Sequence, residues 1–287
     1  MPPDPKTCYF RPDSVSEAVS LIGAEDVCVL AGGTDLVIMR SENIIRAERI
    51  VDLKGITSLS SFGSDNEATF IGACVRLDDL VKQLPLPANA ISDGAALVGG
   101  WQTRSRATIG GNICRASPAA DTLCGLLVLD CLFELSSLSG QRVVPASVFF
   151  LGPGKTAMRR DELLTRIIMP ARPGRSAYQR FTYRNAMDLS VAGIAVYLEM
   201  KGDACVDARV ALGACGPRPI LVPTAAQALV GTTLDKLALD AAVEAVIAAA
   251  TPIDDVRGTR KHRLHVLRPL THRVTKQAHE RAMERHP

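Results

Sequence analysis

The spacing of apolar residues along the chain changes several times, and each change marks an element. Ala18, Val19, Leu21 and Ile22 recur at helical spacing behind Ser14-Val15-Ser16-Glu17, a capping-box pattern, and Gly23 supplies a stop. The unbroken run Val27 to Ala31 predicts a buried strand, Leu36 to Met39 the start of a short helix, and Ile50 to Leu53 a second strand ended by Lys54-Gly55. Thr69 to Val75 predicts a strand, and Arg76 to Leu84 an amphipathic helix stopped by Pro85 and Pro87. Residues 88 to 98 are apolar enough for another helix. Asp121 to Leu129 predicts a helix and Leu132 to Leu138 a strand, with a turn at Gly140.

After Ile167-Ile168-Met169-Pro170 comes a polar link, Ala171 to Ser176, rich in Pro and Gly. Beyond it, Tyr178 to Tyr183, Ala192 to Met200 and Ala208 to Ala214 predict strands. Their short connections predict antiparallel pairing. Leu237 to Ala250 predicts an Ala-rich helix stopped by Pro252, and Thr259 to Val266 a basic helix. The breaks divide the chain at 1–55, 56–172 and 177–287. No internal repeat interrupts this order.

Composition narrows the function classes. The chain has 287 residues, 47% hydrophobic and 22% charged, which is ordinary globular usage. A net charge of +3 and an aromatic content of 4% exclude a polycation or a base-stacking surface, so no nucleic-acid partner is expected. None of the eight cysteines forms a Cys-x-x-Cys pair, and most sit in apolar runs as small hydrophobes. That usage fits a reducing compartment. Cys114, Cys124 and Cys131 match no ferredoxin spacing. Met1-Pro2-Pro3-Asp4-Pro5 lacks a basic n-region and an apolar h-region, and no apolar stretch approaches a membrane span. The expectation is a cytoplasmic protein.

Candidate chemistry concentrates at two glycine pairs. Ala31-Gly32-Gly33-Thr34-Asp35-Leu36 follows Val27-Cys28-Val29-Leu30. Thr108-Ile109-Gly110-Gly111-Asn112 leads into Ser117-Pro118-Ala119-Ala120-Asp121. Each pair carries a Thr, and bare N–H groups approach phosphate where no side chain blocks them. The expectation is two backbone cradles on one anionic ligand. Gly152-Pro153-Gly154-Lys155-Thr156 imitates the end of a P-loop, but Phe149 stands where that motif needs glycine, so a surface turn is expected. No Gly-x-Gly-x-x-Gly opens a helix, which excludes a Rossmann site. His262, His265 and His272 stand among cations with no acidic or thiolate partner, so a solvated basic face is expected there rather than a metal site.

The two glycine segments, with Ser117 to Asp121 after the second, closely resemble the FAD-binding medium subunit of the molybdenum hydroxylases. That family includes the flavin subunits or domains of xanthine dehydrogenase and aerobic carbon monoxide dehydrogenase. Phe10-Arg11-Pro12, Asp161 to Leu164, Arg184 to Asp188, Leu212 to Ala214 and Asp255 to Gly258 extend the resemblance over nearly the whole chain. It implies an α+β chain: a two-subdomain FAD-binding fold of the vanillyl-alcohol-oxidase type plus a C-terminal α+β domain. Residue by residue, it implies a first cradle of Leu30, Ala31, Gly32, Gly33, Thr34, Asp35 and Leu36. The second is Thr108, Gly110, Gly111 and Asn112. Ser117 and Asp121 would reach sugar hydroxyls, and Leu164, Arg180 and Leu189 would lie near the flavin ring. Bland readings stand beside these: Asp35 capping its own turn, Leu164 and Leu189 as core, Arg180 as a surface charge.

The resemblance also implies a division of labour. A large subunit would hold the molybdopterin cofactor and a small one two [2Fe–2S] clusters, assembled as a dimer of heterotrimers. This chain would carry FAD and pass electrons to NAD, a quinone or O₂. Two other readings compete: a freestanding flavin oxidase or dehydrogenase, and an assembly module that has lost flavin. His262-Arg263 stands where many relatives have Tyr-Arg, so that tyrosine's contact is not carried over to this chain.

Overall fold

The computed structural model describes residues 7–83 and 89–284. The expected helix stop at Pro85 and Pro87 and the opening Met1 to Pro5 lie outside the described residues. Among the described residues, three larger sheets follow one another along the chain, with one two-stranded hairpin besides. The first is parallel, with Arg49–Asp52 between Cys8–Phe10 and Val27–Leu30. Helix Val15–Ile22 buries Ala18, Val19 and Ile22 beside it. Its capping box is displaced by one residue: Ser14 Oγ accepts from Glu17 N at 3.1 Å, but Glu17 Oε2 accepts from Asp13 N rather than from Ser14. The Val27–Leu30 strand is not buried as its apolar run implies. Val29 is 40% exposed where it borders a cavity, while Val27 packs against the first core.

The second sheet is antiparallel, in the order Phe62–Ser64, Ala68–Gly72, Leu163–Pro170, Leu132–Ser137, Gly140–Pro145. Its central strand, Leu163–Pro170, is not predicted by alternation, because five of its first seven residues are buried. The flanking helices Ala90–Leu97 and Thr122–Val128 share the largest core with Phe133, Phe149 and Phe150, whose rings meet edge to face. The P-loop imitation is a small hairpin, Phe150–Gly152 with Lys155–Thr156, turning through Gly154 at positive φ.

The third sheet is antiparallel as expected: Arg175–Phe181, Ala192–Lys201, Ala204–Gly213 and Ile220–Leu221. Helices Pro223–Leu229, Lys236–Ala249 and Arg260–Met283 accompany it. The last helix runs 24 residues, through Pro269, where the sequence reading ends it near Val266. Proline removes one helical hydrogen bond. Burial of Val266, Leu267, Leu270 and Val274 on both sides of it holds the helix together. This helix is not wholly a solvated face either, since Arg263 is 2% exposed.

Glycines let the third sheet seat its own Tyr178 and close on the helix Thr122–Val128. Gly193 and Gly213 are register partners on adjacent strands. A Cβ on Gly213 would lie 2.7 Å from Cys124 Sγ, and one on Gly193 would lie 2.5 Å from Tyr178 Oη. Helix Thr122–Val128, buried at all seven positions, lies against this sheet.

Candidate functional site

A cavity of about 440 Å³ separates the first sheet from the second unit. One wall is the loop Ala31 to Leu36, directly after the Val27–Leu30 strand. The facing wall is Thr108, Gly110, Gly111 and Asn112. The backbones behind these walls touch. A Cβ on Gly32 would lie 2.2 Å from the Arg106 carbonyl oxygen, and one on Gly110 would lie 2.5 Å from that of Ala73. Gly33 takes a φ of +79°, a conformation that favours glycine. Gly111 differs from all three. A Cβ there would meet only Thr108 Oγ1, at 2.9 Å.

The second glycine pair is not the bare cradle expected of it. It forms the first turn of helix Ile109–Arg115, with Thr108 as N-cap. Its N–H groups are engaged: Ile109 donates to Val75 O, Gly110 to Ala73 O at 2.8 Å, Gly111 to Thr108 Oγ1 at 3.1 Å and Asn112 to Thr108 O. This wall is therefore no cradle of bare amides. It offers the Thr108 hydroxyl and the Asn112 amide, whose Oδ1 already accepts from Thr122 Oγ1 at 2.6 Å. In the first loop, by contrast, the N–H groups of Gly32, Gly33 and Thr34 have no protein acceptor among the described residues.

Asp35 does not cap its helix. Its carboxylate faces Arg115 Nε from the opposite wall, at 3.4 Å. Arg115 escaped the sequence reading because nothing in a lone Arg at a helix end marks the direction it faces. Glu162 also lines the cavity. It accepts from Arg142 Nε at 2.5 Å and Nη2 at 2.8 Å, and from Arg159 N at 2.6 Å. The Arg142 hydrogen bonds hold its carboxyl below the usual carboxylate range. It thereby anchors the start of Leu163–Pro170, where Leu164 meets the cavity. Burial pushes the Cys74 thiol up to about 12, so this lining residue is neutral.

A family model described as the FAD binding domain in molybdopterin dehydrogenase matches residues 5–172, and the CO dehydrogenase flavoprotein C-terminal domain matches 176–278. The chain belongs to the FAD-binding medium-subunit family of the molybdenum hydroxylases. It is 31% identical over 280 residues to the xanthine dehydrogenase FAD-binding subunit of Escherichia coli O157:H7, covering 94% of this chain and 95% of that one. It is 33% identical over 284 residues to the carbon monoxide dehydrogenase medium chain of Afipia carboxidovorans, covering 96% and 97%. Reconstituted CO dehydrogenase from Oligotropha carboxidovorans superposes with a TM-score of 0.93 at 32% identity, covering 98% of this chain and all of that one.

Within this family member, five expected residues stand off the cavity lining: Leu30, Ser117, Asp121, Arg180 and Leu189. Leu30 supports the first loop, with its Cδ1 3.1 Å from where a Gly33 Cβ would stand. Ser117 Oγ caps its own turn, accepting from Ala119 N. Leu189 is 58% exposed, in a loop tied by Asp188 to the backbone N–H groups of Tyr183 and Arg184. Arg180 is not a surface charge; it forms a buried ion pair with Asp121 at 2.6 Å. No group of metal-ligating side chains occurs among the described residues, and no helix there is long and apolar enough to cross a membrane.

Proposed function

We propose that FAD lies in the cavity with its pyrophosphate against the first loop. The observation that carries this reading is the asymmetry of the walls. Unengaged N–H groups of Gly32, Gly33 and Thr34 face hydroxyl and amide donors on Thr108 and Asn112. Charge-free donors on both sides, with Arg115 at the rim, suit a polyanion held without a metal. Gly111 fits the same ligand, because the fold does not require a glycine there beyond clearance from Thr108. Leu164 borders the flavin end, and Ser117, Asp121, Arg180 and Leu189 act around it rather than in the cavity. The units 1–55 and 56–172 then hold the cofactor between them, and 177–287 packs behind the second wall.

In this reading the chain is the FAD-carrying electron-transfer subunit of a molybdopterin-dependent oxidoreductase, working in the cytoplasm. Its partners are a large molybdopterin-binding subunit and a small [2Fe–2S] subunit, in a dimer of heterotrimers. Bound FAD supplies the ability to take electrons singly and give them up in pairs. The protein positions it and excludes water. The acceptor is NAD, a quinone or O₂. Purification of the full chain with its partners tests the assignment. One FAD per chain, and flavin reoxidation by one of the three acceptors, is the expected outcome. A chain that neither contains nor takes up FAD refutes it.

A further inference from the structure

The C-terminal sheet grips the second cavity wall at one buried carboxylate. Asp121 is 4% exposed and directly precedes helix Thr122–Val128. Its Oδ1 accepts the Tyr178 hydroxyl at 2.8 Å and the Ser190 hydroxyl at 2.5 Å, and its Oδ2 accepts Arg180 Nη1 at 2.6 Å. The next residue, Thr122, donates to Asn112 Oδ1 at 2.6 Å, and Asn112 lines the cavity. Two sets of hydrogen bonds, joined by the Asp121–Thr122 peptide bond, thus lead from the third sheet to the cavity wall.

The fold makes room for this link. Gly193 stands opposite Arg180 in register, and a Cβ there would lie 2.5 Å from Tyr178 Oη. Tyr178 reaches Asp121 because Gly193 has no side chain. Burial pushes the Asp121 carboxyl up, and the converging Arg180, Ser190 and Tyr178 donors oppose that shift. Neither Tyr178 nor Ser190 lines the cavity.

We propose that Tyr178 and Ser190 are positioning residues for FAD, acting through Asp121 and Thr122 on Asn112. The proposal rests on the reading that the cavity holds FAD. It makes flavin affinity depend on two residues of the C-terminal unit that do not line the cavity.

The test uses the full chain stripped of flavin and titrated with FAD. Three quantities are read: Kd, the visible circular dichroism of the bound flavin, and the apo melting temperature. Tyr178→Phe and Ser190→Ala each remove one donor to a charged acceptor, and Kd should rise about tenfold with an altered dichroism. Tyr197→Phe is the control. That phenol is equally buried in the same sheet, but it accepts from Gly174 N and does not touch Asp121. It should lower the melting temperature and leave Kd within about twofold. Where Tyr178→Phe does not fold, Ser190→Ala decides alone. Variants that bind FAD as wild type does, or a control that shifts Kd equally, overturn the proposal. A wild-type chain that binds no FAD overturns the cavity assignment instead.

Discussion

Asp35 and Arg115 face each other across the cavity at 3.4 Å, one from each glycine element. Their side chains are 61% and 44% exposed, so the pair contributes little to stability. Its position matters more. Arg115 is the cation of the cavity lining, and it rests beside the carboxylate that leaves it free to turn toward an anion. Arg115→Ala should therefore leave the apo melting temperature nearly unchanged and weaken FAD binding about tenfold. Parallel melting curves and flavin titrations check it. Equal affinity in the variant would remove Arg115 from the site.

The glycines make a sharper prediction, because they are small for different reasons. Gly32→Ala drives a methyl to 2.2 Å from a backbone oxygen, so the apo protein should lose about 1–3 kcal/mol. Gly111→Val meets only the Thr108 cap, which is worth about 1 kcal/mol. Its branched side chain then projects at the ligand. FAD affinity should fall by well over tenfold while the apo fold persists. Flavin content and apo stability, measured on both variants, separate the two roles. Normal flavin content in Gly111→Val would refute the second wall.

What the sequence made legible follows from how local each signal is. The three predicted strands of the third sheet and the Lys236–Ala249 helix are marked by their own residues, so period and stop signals located them. Leu163–Pro170 was hidden because a strand largely covered on both faces loses its alternation. The glycine pairs announced a backbone approaching something. Only the fold shows that Gly32 and Gly110 approach other backbone and that Gly111 faces the cavity. Arg115 and Tyr178 matter through partners 80 and 57 positions away, and no local pattern encodes such a pairing.

Glu162 gives the cavity a pH dependence. Its folded pKa is depressed from the ordinary 4.5, first by the Arg142 hydrogen bond. A depressed carboxylate contributes stability above its unfolded pKa and loses it as pH falls through the folded value. Glu162→Gln should therefore melt below wild type at about pH 7, and the gap should close in acid below the ordinary value. Melting curves across that range test it. A gap that stays constant with pH would show that Glu162 acts by shape rather than by charge.

Arg263 carries the strongest stability prediction. It is 2% exposed, and its guanidinium donates to Val191 O at 2.7 Å, Ala214 O at 2.9 Å and Asp255 Oδ1 at 2.6 Å. Arg263→Met keeps the volume and removes every donor. Asp255 retains Arg257 at 2.8 Å, so the carboxylate is not left alone. Val191 O keeps only the weak Cys215 thiol, at 3.7 Å. Orphaned buried carbonyls cost about 1–3 kcal/mol each, so a loss of about 3 kcal/mol is expected. For a chain of this size that is roughly 6–12 °C in Tm. Arg263 stands apart from the cavity lining, so FAD affinity of the folded variant should stay within about threefold. A variant as stable as wild type would mean that water reaches those carbonyls and satisfies them.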